Sequence, residues 1–324
     1  DLNTLATGLV IPVDLVTGKP LTSIPIYQGS MTGGSGTNAI IVTKDGATAY
    51  VTNEYTSSPF GTVSRIDLAT GKVLWSVAVG SEPVDIQFVP GSGETWAWVA
   101  NYNGPSVSMI NLAKGEVVNT LTMPGKGPNT VAFTPDGKKC YVANWATDNP
   151  AGSSVTPIDV IDGGASGTIL PSILVGLNPN WVAITKDGAT AYVANKGSKS
   201  LTPIDLTTNK PMADIPMPGP PIQIEVSPNG KLAYVAIAGD GTDMVVPLNL
   251  SRKTATVGQP IVLAPKSQPH WIAFGPDDAP DGLIAYVVGN GDSTLTPIPV
   301  KTGIPGKPID RKSTRLNSSH ANIS

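Results

Sequence analysis

A ring of four-stranded blades, the all-β architecture called a β-propeller, is predicted by three elements that recur about every 45 positions along the 324 residues. The first is a tetrapeptide: Tyr50-Val51-Thr52-Asn53, Trp98-Val99-Ala100-Asn101, Tyr141-Val142-Ala143-Asn144 and Tyr192-Val193-Ala194-Asn195, fading to Tyr234-Val235-Ala236-Ile237 and Tyr286-Val287-Val288-Gly289. The second runs from Ile11-Pro12-Val13-Asp14-Leu15 through Thr156-Pro157-Ile158-Asp159-Val160 to a seventh copy, Thr296-Pro297-Ile298-Pro299-Val300. The third is a turn ahead of the tetrapeptide, as in Lys44-Asp45-Gly46, Pro135-Asp136-Gly137, Lys186-Asp187-Gly188 and Pro228-Asn229-Gly230. Asp-Gly and Asn-Gly are strong hairpin signals because these residues tolerate positive φ.

Each unit therefore reads as four short strands. Strand a, such as Thr130 to Thr134, enters the Asp-Gly turn. Strand b is the tetrapeptide, strand c the Thr-Pro-Ile-Asp segment, and strand d follows a Thr-Gly-Lys type of turn. Short apolar runs bounded by Gly, Pro, Asn and Asp favour strand throughout, and no segment holds a helical period. Val99, Val142, Val193, Val235 and Val287 are expected in the core, with Ile86, Val131, Phe133, Val182, Ile184, Ile224, Ile272 and Phe274 of strand a. Cys140 sits in the small-residue slot just before the tetrapeptide tyrosine, Tyr141, and reads as a buried hydrophobe.

On these residues the chain resembles the YVTN family of bacterial and archaeal β-propellers from Leu9 to Ile309. The resemblance implies seven blades in the intact protein and, frequently, export or display at the cell surface. It implies little about chemistry, since one ring serves as scaffold, binding module and occasionally enzyme. Six full blades are expected here, plus a c-d half-blade from Leu9 to Ile26 whose a-b partner is missing, so that the fragment is expected to be marginally stable or prone to associate. Residues 1–309 form the expected single domain. Asp310 to Ser324 share nothing with the repeats and resemble the conceptual translation of a sequencing adapter, so residues 310–324 are expected to be a non-native, disordered tail, and His320 falls with it.

Composition narrows the function. Charged residues make up 14% of the chain against a usual quarter, and the formal net charge of -3 leaves no basic footprint for nucleic acid. No apolar run is long enough to span a bilayer as a helix, so membrane insertion is not expected. A single cysteine excludes an internal disulfide.

Chain alternation puts the a-b and c-d turns on one face and the more varied b-c and d-a connections on the other, where binding residues would concentrate. A proline, or Thr37 in the first blade, marks the start of strand a, and the two positions after it approach the mouth of the central channel. Asn38, Asp85, Asn129, Asn180, Trp181, Gln223, His270 and Trp271 are the candidate ligand-binding residues there, a set suited to a polar small molecule, a glycan or a peptide. The bland reading is that the amides bond loop backbone and the tryptophans fill the gap between blades.

Catalysis finds little support. His270 is the one histidine outside the tail, there is no Gly-x-Ser-x-Gly elbow, and the residues of a zinc site do not assemble. Asp240 to Asp243 and Asp277 to Asp281 could offer oxygens to calcium, but surface turns use the same residues, so no metal or cofactor is expected. The expectation is a non-catalytic exported or surface propeller binding an unidentified small molecule, glycan or protein through the b-c and d-a face. The alternative is a lyase or lactonase that pairs His270 with Asp85 or Glu82 at the channel mouth.

Overall fold

The computed structural model describes residues 9–14, 17, 19–26, 35–55, 60–145, 153–239, 241, 243–251, 254–275 and 282–310. Among them lie six blades, with strands a to c at 35–42, 48–55 and 62–67 in blade 1 and at 83–88, 96–101 and 106–111 in blade 2. The same three strands occupy 128–133, 139–144 and 154–161 in blade 3, and 179–184, 190–195 and 200–205 in blade 4. They occupy 221–226, 232–237 and 244–251 in blade 5, and 269–274, 284–289 and 294–299 in blade 6. Every blade pairs antiparallel in the order a-b-c-d, and the a strands of successive blades adjoin. One 3-10 turn, Asp162–Gly164, is the helical content of the described residues.

The hairpin turns behave as their residues require. Thr134 Oγ donates to Asp136 Oδ1 (2.6 Å), Asp136 accepts from Lys138 N (3.1 Å), and Gly137 takes φ +67°. Thr43, Thr185 and Ser227 repeat this arrangement with Asp45, Asp187 and Asn229, so the hydroxyl two residues before the acid or amide belongs to the turn.

Strand d is where the blades differ, and proline in strand c is the cause. Pro157, Pro203, Pro247 and Pro297 stand opposite the tetrapeptide aromatic, and none has an N–H to give to strand d. In blades 3 to 5 strand d is accordingly split, into 166–169 and 173–174, 210–211 and 215–216, and 254–257 and 261–262. Blades 1 and 2 carry Arg65 and Met109 at that position, and their d strands run unbroken over Lys72–Ala78 and Glu116–Thr122. The N-terminal pair, with Pro12, is split in the same way: Leu9–Val10 pair with Ile24–Pro25, and Val13–Asp14 with Lys19–Pro20. In blade 6 the outer strand is Ile309–Asp310 on Thr294–Leu295, so pairing extends one residue into the segment 310–324; residues 311–324 lie outside the described residues.

The core is a series of slabs between blades. Trp98, Met109, Val131 and Val142 fill the slab between blades 2 and 3, and Tyr141, Val182, Val193 and Ile204 the next. Ile24 and Ile26 of the half-blade close over Ala49, Val51 and Ile66 of blade 1. The tetrapeptide valines are fully buried, as are Ile86, Val131, Val182, Ile224 and Ile272. Phe133, Ile184 and Phe274, two positions further along, are only half-buried, each being the last residue of strand a where the chain leaves the blade for the a-b turn. Cys140 is buried, and burial pushes its thiol far above the ordinary range.

Candidate functional site in the central channel

Strand a begins with a β-bulge in every blade. In blades 3 to 6 the proline and the residue two beyond it take consecutive partners on strand b, leaving Asn129, Asn180, Ile222 or His270 as the extra residue. Bulges re-aim side chains at the rim of a closed sheet. Here they turn these positions toward the next blade.

The rim amides are consequently engaged. Asn38 Nδ2 donates to Pro83 O (3.1 Å) and Glu54 Oε2 (3.2 Å), Asn129 Nδ2 to Asn180 O (2.7 Å), and Asn180 Nδ2 to Ile222 O (2.6 Å). Thr130 Oγ1 also donates to Asn180 O (2.9 Å).

One step further in, acids and amides staple blades together. Asp85 accepts from Val131 N of the next blade (2.9 Å), Ile86 N (2.9 Å) and Gln87 Nε2 (3.2 Å). Gln223 does the equivalent in blade 5, accepting from Ile272 N (2.8 Å) and donating to Ile272 O (3.2 Å). Asp85 is fully enclosed, and burial, offset in part by these three donors, pushes its pKa up to about 6.

Trp181 and Trp271 meet edge to face across the channel, with ring centroids 4.8 Å apart. Trp271 touches the slab between blades 1 and 2 as well as that between blades 4 and 5. The two indoles thus plug the channel just inside the rim. His270 stands exposed outside the plug. No described carboxylate hydrogen-bonds to it, and crowding by protein together with the nearby Lys196 cation lowers its pKa. Glu82 accepts instead from Asn103 Nδ2. The pairing of His270 with Asp85 or Glu82 is therefore not formed.

Beyond the plug, toward the a-b turns, lies a cavity of about 220 Å³. Trp181 and Thr130 stand at its inner end, Gln87 and Glu225 on its walls, and Lys186 of the blade 4 turn at its rim. Glu225 is partly shielded, and burial pushes its pKa up to about 7 against the opposing pull of Lys186. Gln87 and Glu225 each lie two residues beyond a staple residue, and Gln223 Nε2 approaches Glu225 Oε2 at 3.4 Å. The cavity joins an indole face, an amide, a protonatable carboxyl and a cation. Neither Gln87 nor Glu225 is at the two positions after the proline that the sequence singles out. The signal was two places on: Gln87 and Glu225 occupy the position that is Ile41, Ala132, Ala183 and Ala273 in the other blades.

Among the described residues no group of three or more His, Cys, Asp or Glu could hold a metal, and the two candidate calcium turns fall largely on residues outside the described set. No helix of the described residues is long and apolar enough to cross a membrane.

No family model and no curated protein matches the chain. Solved structures do. A protein of unknown function from Desulfotomaculum acetoxidans superposes with a TM-score of 0.72 at 17% identity, over 93% of this chain and 92% of that one. A periplasmic gluconolactonase from Pseudomonas aeruginosa gives 0.70 at 17% identity, over 93% and 91%. A candidate 6-phosphogluconolactonase from Bacteroides uniformis gives 0.70 at 15%, over 93% and 92%. Identities this low establish the propeller fold and nothing finer.

Proposed function

We propose that this propeller binds a small polar molecule of the sugar-acid class in the central cavity, entering from the a-b turn face. The observation that carries the reading is the juxtaposition of Glu225, its pKa about 7, with Lys186, Gln87 and the Trp181 ring around about 220 Å³. That volume is below the roughly 300 Å³ at which drug-sized pockets begin, so the ligand is of single-ring size. Lys186 pairs with a carboxylate, Gln87 and Glu225 take hydroxyls, and the indole packs against C–H groups. The donors of Asn38, Asn129, Asn180 and Gln223 are committed between blades, which favours this end of the channel over the b-c and d-a face. An exported location belongs to the same proposal and is supported by the periplasmic enzyme among the similar structures.

A second reading is hydrolysis of the corresponding lactone, favoured by the gluconolactonase of like fold and by a carboxyl titrating near the ideal for a general base. Ionised Glu225 takes a proton from water as the oxygen adds to the lactone carbonyl. The ring C–O bond then breaks, and the proton passes to the departing alkoxide. Calorimetric titration with D-gluconate, alongside turnover of D-glucono-1,5-lactone, separates the two readings. Binding without turnover leaves the first. Turnover that rises with pH near 7 and disappears in Glu225→Gln establishes the second. Absence of both in a folded protein rejects the cavity as a site for this class.

A further inference from the structure

The fourth position after the marker at the start of strand a is polar in two blades, and in both the second position is a buried acid or amide. Blade 2 has Asp85 with Gln87, and blade 5 has Gln223 with Glu225. The other four blades carry Ala39 with Ile41, Thr130 with Ala132, Trp181 with Ala183 and Trp271 with Ala273. Residues two apart on a strand share a face. Each staple side chain therefore lies beside the cavity side chain of its own strand, and the two occur together or not at all.

Asp85 and Gln223 are 0% and 1% exposed, so neither meets a ligand itself. Their hydrogen bonds decide what their neighbours present. Asp85 Oδ2 accepts from Val131 N (2.9 Å), and Oδ1 accepts from Ile86 N (2.9 Å) and from Gln87 Nε2 (3.2 Å). An ionised carboxyl only accepts, so the Gln87 amide must turn its NH2 toward Asp85 and its Oε1 away from it. In blade 5, Gln223 Oε1 accepts from Ile272 N (2.8 Å) while Nε2 donates to Ile272 O (3.2 Å), which fixes both ends of that amide. The same Nε2 reaches Glu225 Oε2 at 3.4 Å. Oε2 is thereby engaged inside the protein, and Oε1 is the oxygen left for the cavity and for the proton that Glu225 holds below about pH 7.

We propose that Asp85 and Gln223 are positioning residues of the central cavity: Asp85 fixes Gln87 as a hydrogen-bond acceptor, and Gln223 selects Glu225 Oε1 as the atom that meets the ligand. This rests on the reading of the cavity as a site for a small polyhydroxylated acid. The two walls then offer oxygen acceptors to ligand hydroxyls, and Lys186 at the rim offers the charge for the carboxylate. Each staple also holds the next blade, through Val131 and Ile272, so the contacts that hold blades 2 and 3 and blades 5 and 6 together are the ones that orient the site.

Two double-mutant cycles on the full chain, read by calorimetric titration with D-gluconate, test the proposal. Asp85→Asn is expected to weaken binding about fivefold or more in the wild-type background and less than about twofold once Gln87→Ala is present. Gln223→Met should behave likewise without and with Glu225→Ala. Staples that only held blades together would lower affinity by the same factor in both backgrounds, and that result overturns the proposal. If Asp85→Asn does not fold, the Gln223 cycle decides alone. Nuclear magnetic resonance of the ligand-free protein supplies a reading that does not depend on D-gluconate. The side-chain NH2 signal of Gln87 should move in Asp85→Asn and the carboxyl carbon signal of Glu225 in Gln223→Met. Signals that stay in place overturn the positioning roles. Signals that move while the wild type binds no D-gluconate uphold those roles and reject the sugar-acid reading instead.

Discussion

Blades 2 to 4 and blade 5 solve the same packing problem with opposite chemistry. In blade 3, Asn144 at the end of the tetrapeptide is buried and donates to Ser154 Oγ (3.1 Å) and Thr156 Oγ1 (2.8 Å) on strand c. Asn101 and Asn195 do the same with Ser106 and Ser108, and with Ser200 and Thr202. Each asparagine also lies against a glycine three residues before the strand-a proline. A Cβ at Gly80, Gly125 or Gly176 would stand 2.5 to 2.7 Å from the side chain of Asn101, Asn144 or Asn195. None of these glycines has positive φ, so close approach is what selects them.

Blade 5 has Ile237 in place of the asparagine, Met244 and Val246 in place of the hydroxyls, and Pro218 in place of the glycine. Four positions have changed together, and the polar slot has become apolar. Blade 6 takes a middle course. Gly289 vacates the slot, Asp292 Oδ1 moves within 2.4 Å of where its Cβ would be, and Thr294 donates to that carboxylate (2.8 Å). The lesson is that the tetrapeptide asparagine is one part of a four-residue unit. The motif decays as a unit or finds a substitute.

The largest effect that breaks this comparison is Ile237→Asn. Its amide would face Met244 and Val246 with no acceptor, at a cost of about 4 kcal/mol. Adding Met244→Ser and Val246→Thr should recover at least half of that in urea melts, and no recovery would mean that the unit is not transferable. Next comes Gly125→Ala, expected to cost about 2 to 3 kcal/mol through the clash with Asn144. The double variant with Asn144→Ala should lose less than the two singles together, giving a coupling of about 1 kcal/mol or more. Asn144→Ala alone should cost only about 1 kcal/mol, since its Oδ1 is already buried without a partner. Smallest is Lys266→Gly in blade 6, which relieves a side chain held at φ +66° and should gain less than about 1 kcal/mol.

The channel adds a pH-dependent contrast between its two buried acids, the staple Asp85 and the cavity-wall Glu225, and the exposed turns. Asp85 and Glu225 have folded pKa values raised to about 6 and about 7, so the folded state holds protons that the unfolded chain has released. Stability should therefore fall as pH rises through the window from about 4 to 7. Glu225→Gln should flatten the upper part of that fall and add about 1 to 2 kcal/mol at pH 8, measured by denaturant titration across pH. The turn carboxylates Asp45 and Asp136 work in the opposite sense, held low by hydrogen bonds from Thr43 and Thr134.

Much of the fold was legible because its signals are local. Asp-Gly turns, the position of proline and the alternation after it fix strands a to c, and Val142 or Ile272 could be assigned to the core from phase alone. Two features were not legible. The bulge after each proline depends on pairing between strands, and it is what commits Asn129 and Asn180 to neighbouring blades. The split of strand d arises from Pro157 and its equivalents one strand away. The site divides in the same way: Trp181 was visible as a channel residue, whereas Glu225 and Lys186 come together from different blades and become a site only when the ring forms.

The central claim is that the working end of the channel is the a-b turn end. A crystal structure of the protein soaked in D-gluconate tests it most directly. The account predicts density between Trp181 and Glu225, with the carboxylate toward Lys186. Density over His270 and Asn129, on the other side of the tryptophan plug, would contradict it.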